Sequence, residues 1–336
     1  LLKELKTNMN FRGLVHQTLK PLHRGVLEMT LPDGQVWRFG GLAKAPMARI
    51  AIRDENFFRR TVLFGPIGFA ESHVAGEWDS PDLTAVVAFF ITNAEDSPAM
   101  ETRARRRRGP VDLLSAYNRF IHTRRPNSIL KSRDNIREHY DLSNEFFALW
   151  LDETMTYSSA LFEPNDLSLK DAQIKKYDAL CQKLRLKAGD RVLEIGTGWG
   201  GFSMHAASTY GCRVVTTTIS NQQHDEATKR IAEAGLAERI DVRLDDYRHL
   251  TGRFDKIASI EMLEAVGDRY VDGYFEKCSS LLTPNGLLGI QAILCPDQQY
   301  DIIKRGVDFI QKHIFPGSLL MSMGRILDAT GKTQAL

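Results

Sequence analysis

Arg191-Val192-Leu193-Glu194-Ile195-Gly196-Thr197-Gly198-Trp199-Gly200-Gly201 reads as a short buried strand that runs into a glycine-rich turn. Glycine lets a backbone turn sharply and approach a ligand without a Cβ clash. A helix to about Tyr210 follows. Working outward, Arg213 to Thr218 reads as strand two and Gln222 to Ala234 as a helix. Ile240 to Leu244 is strand three. Phe254 to Ile260 is strand four, followed by a helix from about Asp268 to Leu282. Thr283-Pro284-Asn285-Gly286 reads as a turn into strand five, Leu287 to Ile293. Strands separated by helices predict a parallel sheet with right-handed crossovers, an α/β fold.

The turn spacing also matches G-x-G-x-x-G at Gly196, Gly198 and Gly201, so a dinucleotide site has to be weighed. Such a site places an acid at the end of strand two for the ribose hydroxyl. That strand end reads Thr216-Thr217-Thr218-Ile219-Ser220, with no acid. The acid stands before the first glycine, as Glu194. E-x-G-x-G is the pattern of S-adenosylmethionine-dependent methyltransferases, where the loop backs the methionine end of the cofactor. Ser220 and Gln223 fit a helix capping box. The functional reading is that Gln222 or Gln223 replaces the missing acid near the ribose. Asp246-Tyr247-Arg248 follows strand three, either beside the adenine or as an ordinary polar loop with a half-buried Tyr.

The rest of the chain sets bounds. Its 336 residues suggest two domains. A 43% hydrophobic, 26% charged composition is that of a globular protein, and a net charge of +2 says little about partners. Cys181, Cys212, Cys278 and Cys295 are too dispersed for a disulfide scaffold or a zinc site, which implies reduced thiols as in a cytosol. The longest apolar stretch, Leu83 to Thr92, is shorter than the roughly 20 residues of a spanning helix. No long apolar signal core opens the chain. Residues 1–100 read as a smaller α+β domain: Gly25 to Leu31, the turn Pro32-Asp33-Gly34 and Val36 to Phe39 predict a hairpin. Helices are expected at Asp54 to Leu63 and Asp82 to Ile91. Residues 101–137 form a basic connector, densest at Arg103, Arg105, Arg106, Arg107 and Arg108. It is either a solvated face or an adhesive for anionic lipid; no nucleic-acid-reading motif accompanies it. Residues 138–336 carry the α/β pattern.

With these motifs together, the chain resembles the cyclopropane-fatty-acyl-phospholipid synthases and the related mycolic acid synthases. The resemblance covers about residues 135 to 325. It rests on His139-Tyr140-Asp141-Leu142-Ser143-Asn144 before Phe146-Phe147, and on Leu151-Asp152-Glu153-Thr154-Met155-Thr156-Tyr157-Ser158. The glycine loop, Thr218-Ile219-Ser220 with Gln223, and Asp246-Tyr247-Arg248 continue it. Ser259-Ile260-Glu261-Met262-Leu263-Glu264-Ala265-Val266-Gly267 and Phe309-Ile310-Gln311-Lys312 with Ile314-Phe315-Pro316-Gly317 complete the set. It implies a Rossmann-like class I methyltransferase domain behind a smaller N-terminal lipid-associated domain.

The resemblance also implies a reaction. The π electrons of a cis double bond in a phospholipid acyl chain attack the sulfonium methyl. Proton loss from the new methyl then closes a ring. Family members hold a bicarbonate ion near the cation, between a Cys, a Glu, a His and a late Tyr. Carried over, Glu264 fits the Glu, Ser159 stands at the Cys, and Gln291 stands at the His; the region of the Tyr is not in the chain. The expected catalytic set is Glu264, Ser159 and Gln291. The expected cofactor set is Tyr157, Ser158, Glu194, Gly196, Gly198, Gly200, Ser220, Gln223, Asp246 and Tyr247. No metal is expected. Glu264 is expected to end strand four and to share a donor such as Ser159 or Gln291. Phe146, Phe147, Trp150, Tyr157, Phe309 and Phe315 are candidates for shielding a cation. The expected partner is unsaturated phospholipid in an anionic membrane surface, reached from the cytoplasmic face, with oligomeric state left open, a homodimer included.

Overall fold

The computed structural model describes residues 10–41, 46–94 and 143–333, in two compact units. The expected basic connector and the His139 motif lie outside the described residues, apart from Ser143 and Asn144.

The N-terminal unit opens with α1 (Phe11–Leu19), capped by Asn10, whose side chain accepts from Gly13 N at 2.8 Å. The expected hairpin forms as β1 (Val26–Thr30) and β2 (Val36–Gly40), antiparallel with Val26 opposite Gly40. A strand not anticipated, β3 (Met47–Ile52), lies parallel to β1. The next helix, α2 (Asn56–Val74), runs well past its expected end at Leu63. It contains Pro66, preceded by Gly65 at φ 59°; the break is a kink where the missing proline N–H interrupts the ladder. The short β4 (Trp78–Asp79) completes a sheet ordered β2-β1-β3-β4, and α3 (Leu83–Thr92) follows. Leu27, Met29, Phe57, Phe58, Trp78 and Phe89 form its core.

The second unit begins with α4 (Asn144–Ala148) and α5 (Leu169–Lys183), each N-capped by a serine hydroxyl. Then come β5 (Arg191–Ile195), α6 (Gly201–Tyr210), β6 (Arg213–Thr218), α7 (Asn221–Glu233), β7 (Ile240–Leu244) and β8 (Phe254–Ile260). The last part holds α8 (Val271–Leu281), β9 (Leu282–Gln291), β10 (Leu294–Cys295), α9 (Asp297–Arg305), β11 (Met321–Ser322) and α10 (Met323–Lys332). Strands β5 to β8 occupy the residues expected of them. All five long strands are parallel, ordered β7-β6-β5-β8-β9. The expected free turn before strand five is instead an irregularity inside β9. Leu282 already pairs with Phe254, and pairing resumes with Leu287 opposite Lys256. Pro284, which has no N–H to donate, falls between.

Side chains of β5 alternate between two cores. Val192 joins Cys181, Phe202, Ala227 and Ile231 on one face, while Leu193 joins Phe254, Ile257, Tyr274 and Phe275 on the other. The order reverses at β5, since β6 lies on one side and β8 on the other. A crevice at the carboxyl ends of β5 and β8 is where open α/β sheets bind ligands. Among the described residues no helix is long and apolar enough to cross a membrane.

Candidate active site

The glycine loop leaves β5 at that reversal. Gly196, Gly198 and Gly200 all have positive φ, at 101°, 51° and 87°. A Cβ on Gly198 would meet no described atom within 4 Å, so the loop offers a bare ledge. The loop is braced from behind: Gly196 N and Thr197 N donate to Thr217 O at 3.0 and 3.1 Å. Glu194 sits under it, 3% exposed, accepting from Ser203 and Thr216 hydroxyls. Burial pushes its carboxyl up to about 7, against those two donors. Glu194 thus braces the base of the loop through the Ser203 and Thr216 hydroxyls.

At the end of β6, the Ser220 hydroxyl accepts from Gln223 N at 3.4 Å and caps α7. The Gln223 side chain does not return to Ser220. Its Oε1 accepts from Thr218 Oγ1 at 2.7 Å, while Ser220 N donates to the same hydroxyl at 3.2 Å. Past β7, Asp246 is clasped by Arg248 through Nε at 2.8 Å and Nη2 at 2.6 Å. Burial pushes the Asp246 carboxyl up, but Arg248 outweighs it and holds it below the usual range. Tyr247 packs edge-on against Tyr274 at 5.3 Å, and burial raises its phenol.

The segment 152–159 is tied to the loop. Arg230 of α7 pins it, donating to Thr154 O at 3.1 Å, Glu153 O at 2.9 Å and Trp199 O at 2.8 Å. Tyr157 stacks on Phe315 at 6.0 Å and lies 5.5 Å from Phe147 and 5.1 Å from Trp150. Phe146 packs on Phe147 and Trp150, and Trp199 on Phe147. Five of the six aromatic candidates therefore form one wall. Its outer part is exposed: Leu149 is 82% and Trp150 45% accessible. Ser158 is held from α5: Gln173 Nε2 donates to its carbonyl at 2.8 Å and Lys176 Nζ to its hydroxyl at 2.7 Å. Burial pulls the Lys176 ammonium down to about 8, opposed by Glu261, Asp152 and Glu194.

Ser159 and Gln291 do meet, across 132 residues of chain: Gln291 Nε2 lies 3.1 Å from Ser159 Oγ. The acid between them is Glu261. Its Oε1 accepts from Ser159 N at 2.9 Å, Ser159 Oγ at 2.8 Å and Gln291 Nε2 at 2.9 Å. This corrects the expected sharing of those donors with Glu264. Strand β8 ends at Ile260, so Glu261 is the acid at its carboxyl edge, and Glu264 lies three residues on in a tight turn. Glu261 has φ 48°, unusual for a non-glycine, and its N–H donates to Gln291 O at 2.8 Å. That left-handed turn swings its side chain back toward β9. Glu264 Oε1 accepts from Ile293 N, while Oε2 is buried with no partner among the described residues. Burial raises its carboxyl above the usual range, and Glu261 adds to the rise.

Sequence reasoning passed over Glu261, Lys176 and Gln173. Glu261 stood inside a quoted motif, one residue past the apolar run of β8. Gln173, Lys176, Tyr177 and Leu180 repeat at i, i+3, i+4, i+7, which puts a lysine on a buried helical stripe.

This sheet, loop and carboxyl-edge crevice define a class I, Rossmann-like methyltransferase fold, in a chain that also carries an N-terminal α/β unit. Residues 127–335 match the mycolic acid cyclopropane synthetase family, and the chain belongs to that family. It is 38% identical over 302 residues to the tuberculostearic acid methyltransferase of Mycobacterium tuberculosis, covering 84% of this chain and 66% of the relative. It is 33% identical over 317 residues to the cyclopropane-fatty-acyl-phospholipid synthase of Escherichia coli, covering 90% and 77%. A solved mycolic acid cyclopropane synthase complexed with SAH and CTAB superposes with a TM-score of 0.56 at 32% identity, covering 60% of this chain and 74% of that one. The chain thus spans under two-thirds of the first relative's length.

Proposed function

We propose that this chain transfers a methyl group from S-adenosylmethionine to the cis double bond of an unsaturated phospholipid acyl chain. The bare ledge at Gly198, and a β6 end without an acid, fit an adenosyl sulfonium donor better than a nicotinamide nucleotide. When bound, that donor supplies an electrophilic methyl group. The chain's own residues supply the rest. Tyr157, Trp150 and Phe315, backed by the buried Phe147, give an apolar surface for the acyl chain, and their faces favour a cation on the alkylated carbon.

The observation that carries the reading is the Glu261 carboxylate fixed by Ser159 and Gln291 at the switch point. Three donors converge on its Oε1 and fix the side chain in place. It supplies negative charge beside a developing cation and can take up the proton that the cation sheds. The residues present do not fit the bicarbonate that the resemblance implies, because both donors meant for it already point at Glu261. Loss of a proton from the new methyl closes a cyclopropane; loss from a neighbouring carbon leaves a methyl-branched alkene. One named relative is a methyltransferase and another a cyclopropane synthase.

The substrate would come from an anionic membrane surface, which the Arg103–Arg108 run and the exposed Leu149 and Trp150 support. Incubation with unsaturated phospholipid vesicles and the sulfonium donor tests the reading. A mass gain of one methylene on the acyl chain is expected, and NMR then assigns ring or branch. No gain with any unsaturated phospholipid, alongside normal donor binding, overturns it.

A further inference from the structure

We propose that Lys176 acts through the Ser158 hydroxyl to hold the carboxylate of the methyl donor's amino-acid tail. The inference rests on the donor reading above and extends it to a residue on α5. Lysine is almost never fully buried unless paired. Lys176 is 5% exposed, yet among the described residues no carboxylate lies within ion-pair distance of it. Its acceptor is the Ser158 hydroxyl at 2.7 Å, and its Nζ lies 4.6 Å from the centre of the Tyr177 ring. Glu261, Asp152 and Glu194 act on it only through space.

The direction of the hydrogen bond decides what Ser158 can do. An ammonium only donates, so Ser158 Oγ accepts from Lys176 and its own proton is free to point away from α5. Gln173, 2% exposed, grips the Ser158 carbonyl at 2.8 Å and fixes the hydroxyl's place. A hydroxyl backed by a buried cation is a strengthened donor for an anion. The neighbour of Ser158, Ser159, bonds Glu261 at the carboxyl edge of β8, and Arg230 ties the same segment, through Thr154 O, to Trp199 O of the glycine loop. The donor's tail carries a carboxylate and its sulfonium a positive charge. Lys176 favours the first and, set behind Ser158, keeps its charge off the second. The buried cation therefore orients the donor: tail toward Ser158, methyl toward Glu261.

Ligand truncation tests this without turnover. Affinities for S-adenosylhomocysteine, which has the tail, and 5′-methylthioadenosine, which lacks it, are measured by calorimetry. The parent, Lys176→Met, Ser158→Ala and the double variant are compared. Lys176→Met should weaken S-adenosylhomocysteine binding roughly tenfold or more, the scale of one hydrogen bond to a charged group. Binding of 5′-methylthioadenosine should stay within about twofold, a change below the usual size of one lost interaction. The double variant should lose no more than Ser158→Ala alone, because the lysine acts through the serine. Equal weakening of both ligands, or additive losses, overturns the proposal and leaves Lys176 a structural prop. If Lys176→Met fails to fold, Lys176→Arg keeps the charge and must retain the preference for the tailed ligand; losing it counts against the proposal. A parent chain that binds neither nucleoside sinks the donor reading itself.

Discussion

Glu261 and Glu264 stand three residues apart and have opposite surroundings. Three donors converge on one Glu261 oxygen, whereas among the described residues Glu264 has one backbone donor and a buried oxygen without a partner. Glu261→Gln keeps the shape and removes the charge. Turnover on unsaturated phospholipid should fall on the order of a hundredfold or more, the usual scale for a lost acid–base group. Donor affinity should change little, which separates a chemical loss from a binding loss. Glu264→Gln should cost far less turnover, since its neutral amide still accepts from Ile293 N. A Glu264 variant that loses as much as the Glu261 variant would return Glu264 to the centre of the chemistry. Gln291→His removes the amide that donates to both Ser159 and Glu261, so it should lower turnover and not raise ring formation. The sequence places both acids in one motif and cannot rank them. What ranks them is the φ of 48° at Glu261, a backbone reversal set by tertiary contact with β9.

At the scale of elements, strands β5 to β8 are legible because β-branched and apolar residues in short runs are bounded by turn residues. Helix α5 is not, because its buried stripe holds Gln173 and Lys176, which blur the apolar period. The same holds for α9 and α10, which are fixed by charge as much as by burial. Asp268, just before α8, accepts from Tyr300 and pairs with Lys304 on α9 and Arg325 on α10. Asp272 of α8 also pairs with Arg325 and with Lys332, at 2.7 and 2.6 Å. Burial pushes the Asp268 carboxyl up, but Lys304, Tyr300 and Arg325 outweigh it and bring it from an ordinary 3.8 to about 2. A carboxyl depressed in the folded state adds stability above its unfolded pKa and loses it as pH falls through the folded one. The contribution is thus present above about pH 4 and gone near pH 2. Discounted for partial exposure, it is about 1–2 kcal/mol. Asp268→Asn should lower the unfolding free energy by that amount at pH 7, with the gap to the parent closing as the melts are taken toward pH 2. A gap that persists unchanged in acid would mean the network acts by shape and not by charge.

For the molecule as a whole, the proposed substrate raises the question of how this chain would reach an acyl chain within a bilayer. Residues 101–137 carry eleven Arg and Lys against three acids, and five of the arginines fall between Arg103 and Arg108. Basic residues near an anionic surface contribute roughly 1 kcal/mol each, and the attraction is screened within a Debye length. Apolar contact from the exposed Leu149 and Trp150 would add a part that salt does not screen. The two contributions predict different salt dependences. Replacing Arg103, Arg105, Arg106, Arg107 and Arg108 with Gln should weaken binding to vesicles of anionic phospholipid at low salt and flatten the fall of binding with added salt. Leu149→Ser with Trp150→Ser should weaken binding by a similar factor at low and high salt. Turnover on phospholipid in vesicles should drop in both sets. Turnover on a detergent-dispersed unsaturated fatty acyl substrate should hold in the arginine set if the run serves only to attach the chain to the surface. Vesicle binding that survives loss of the arginines at low salt would leave the run a solvated connector, and would put the whole attachment on apolar contact.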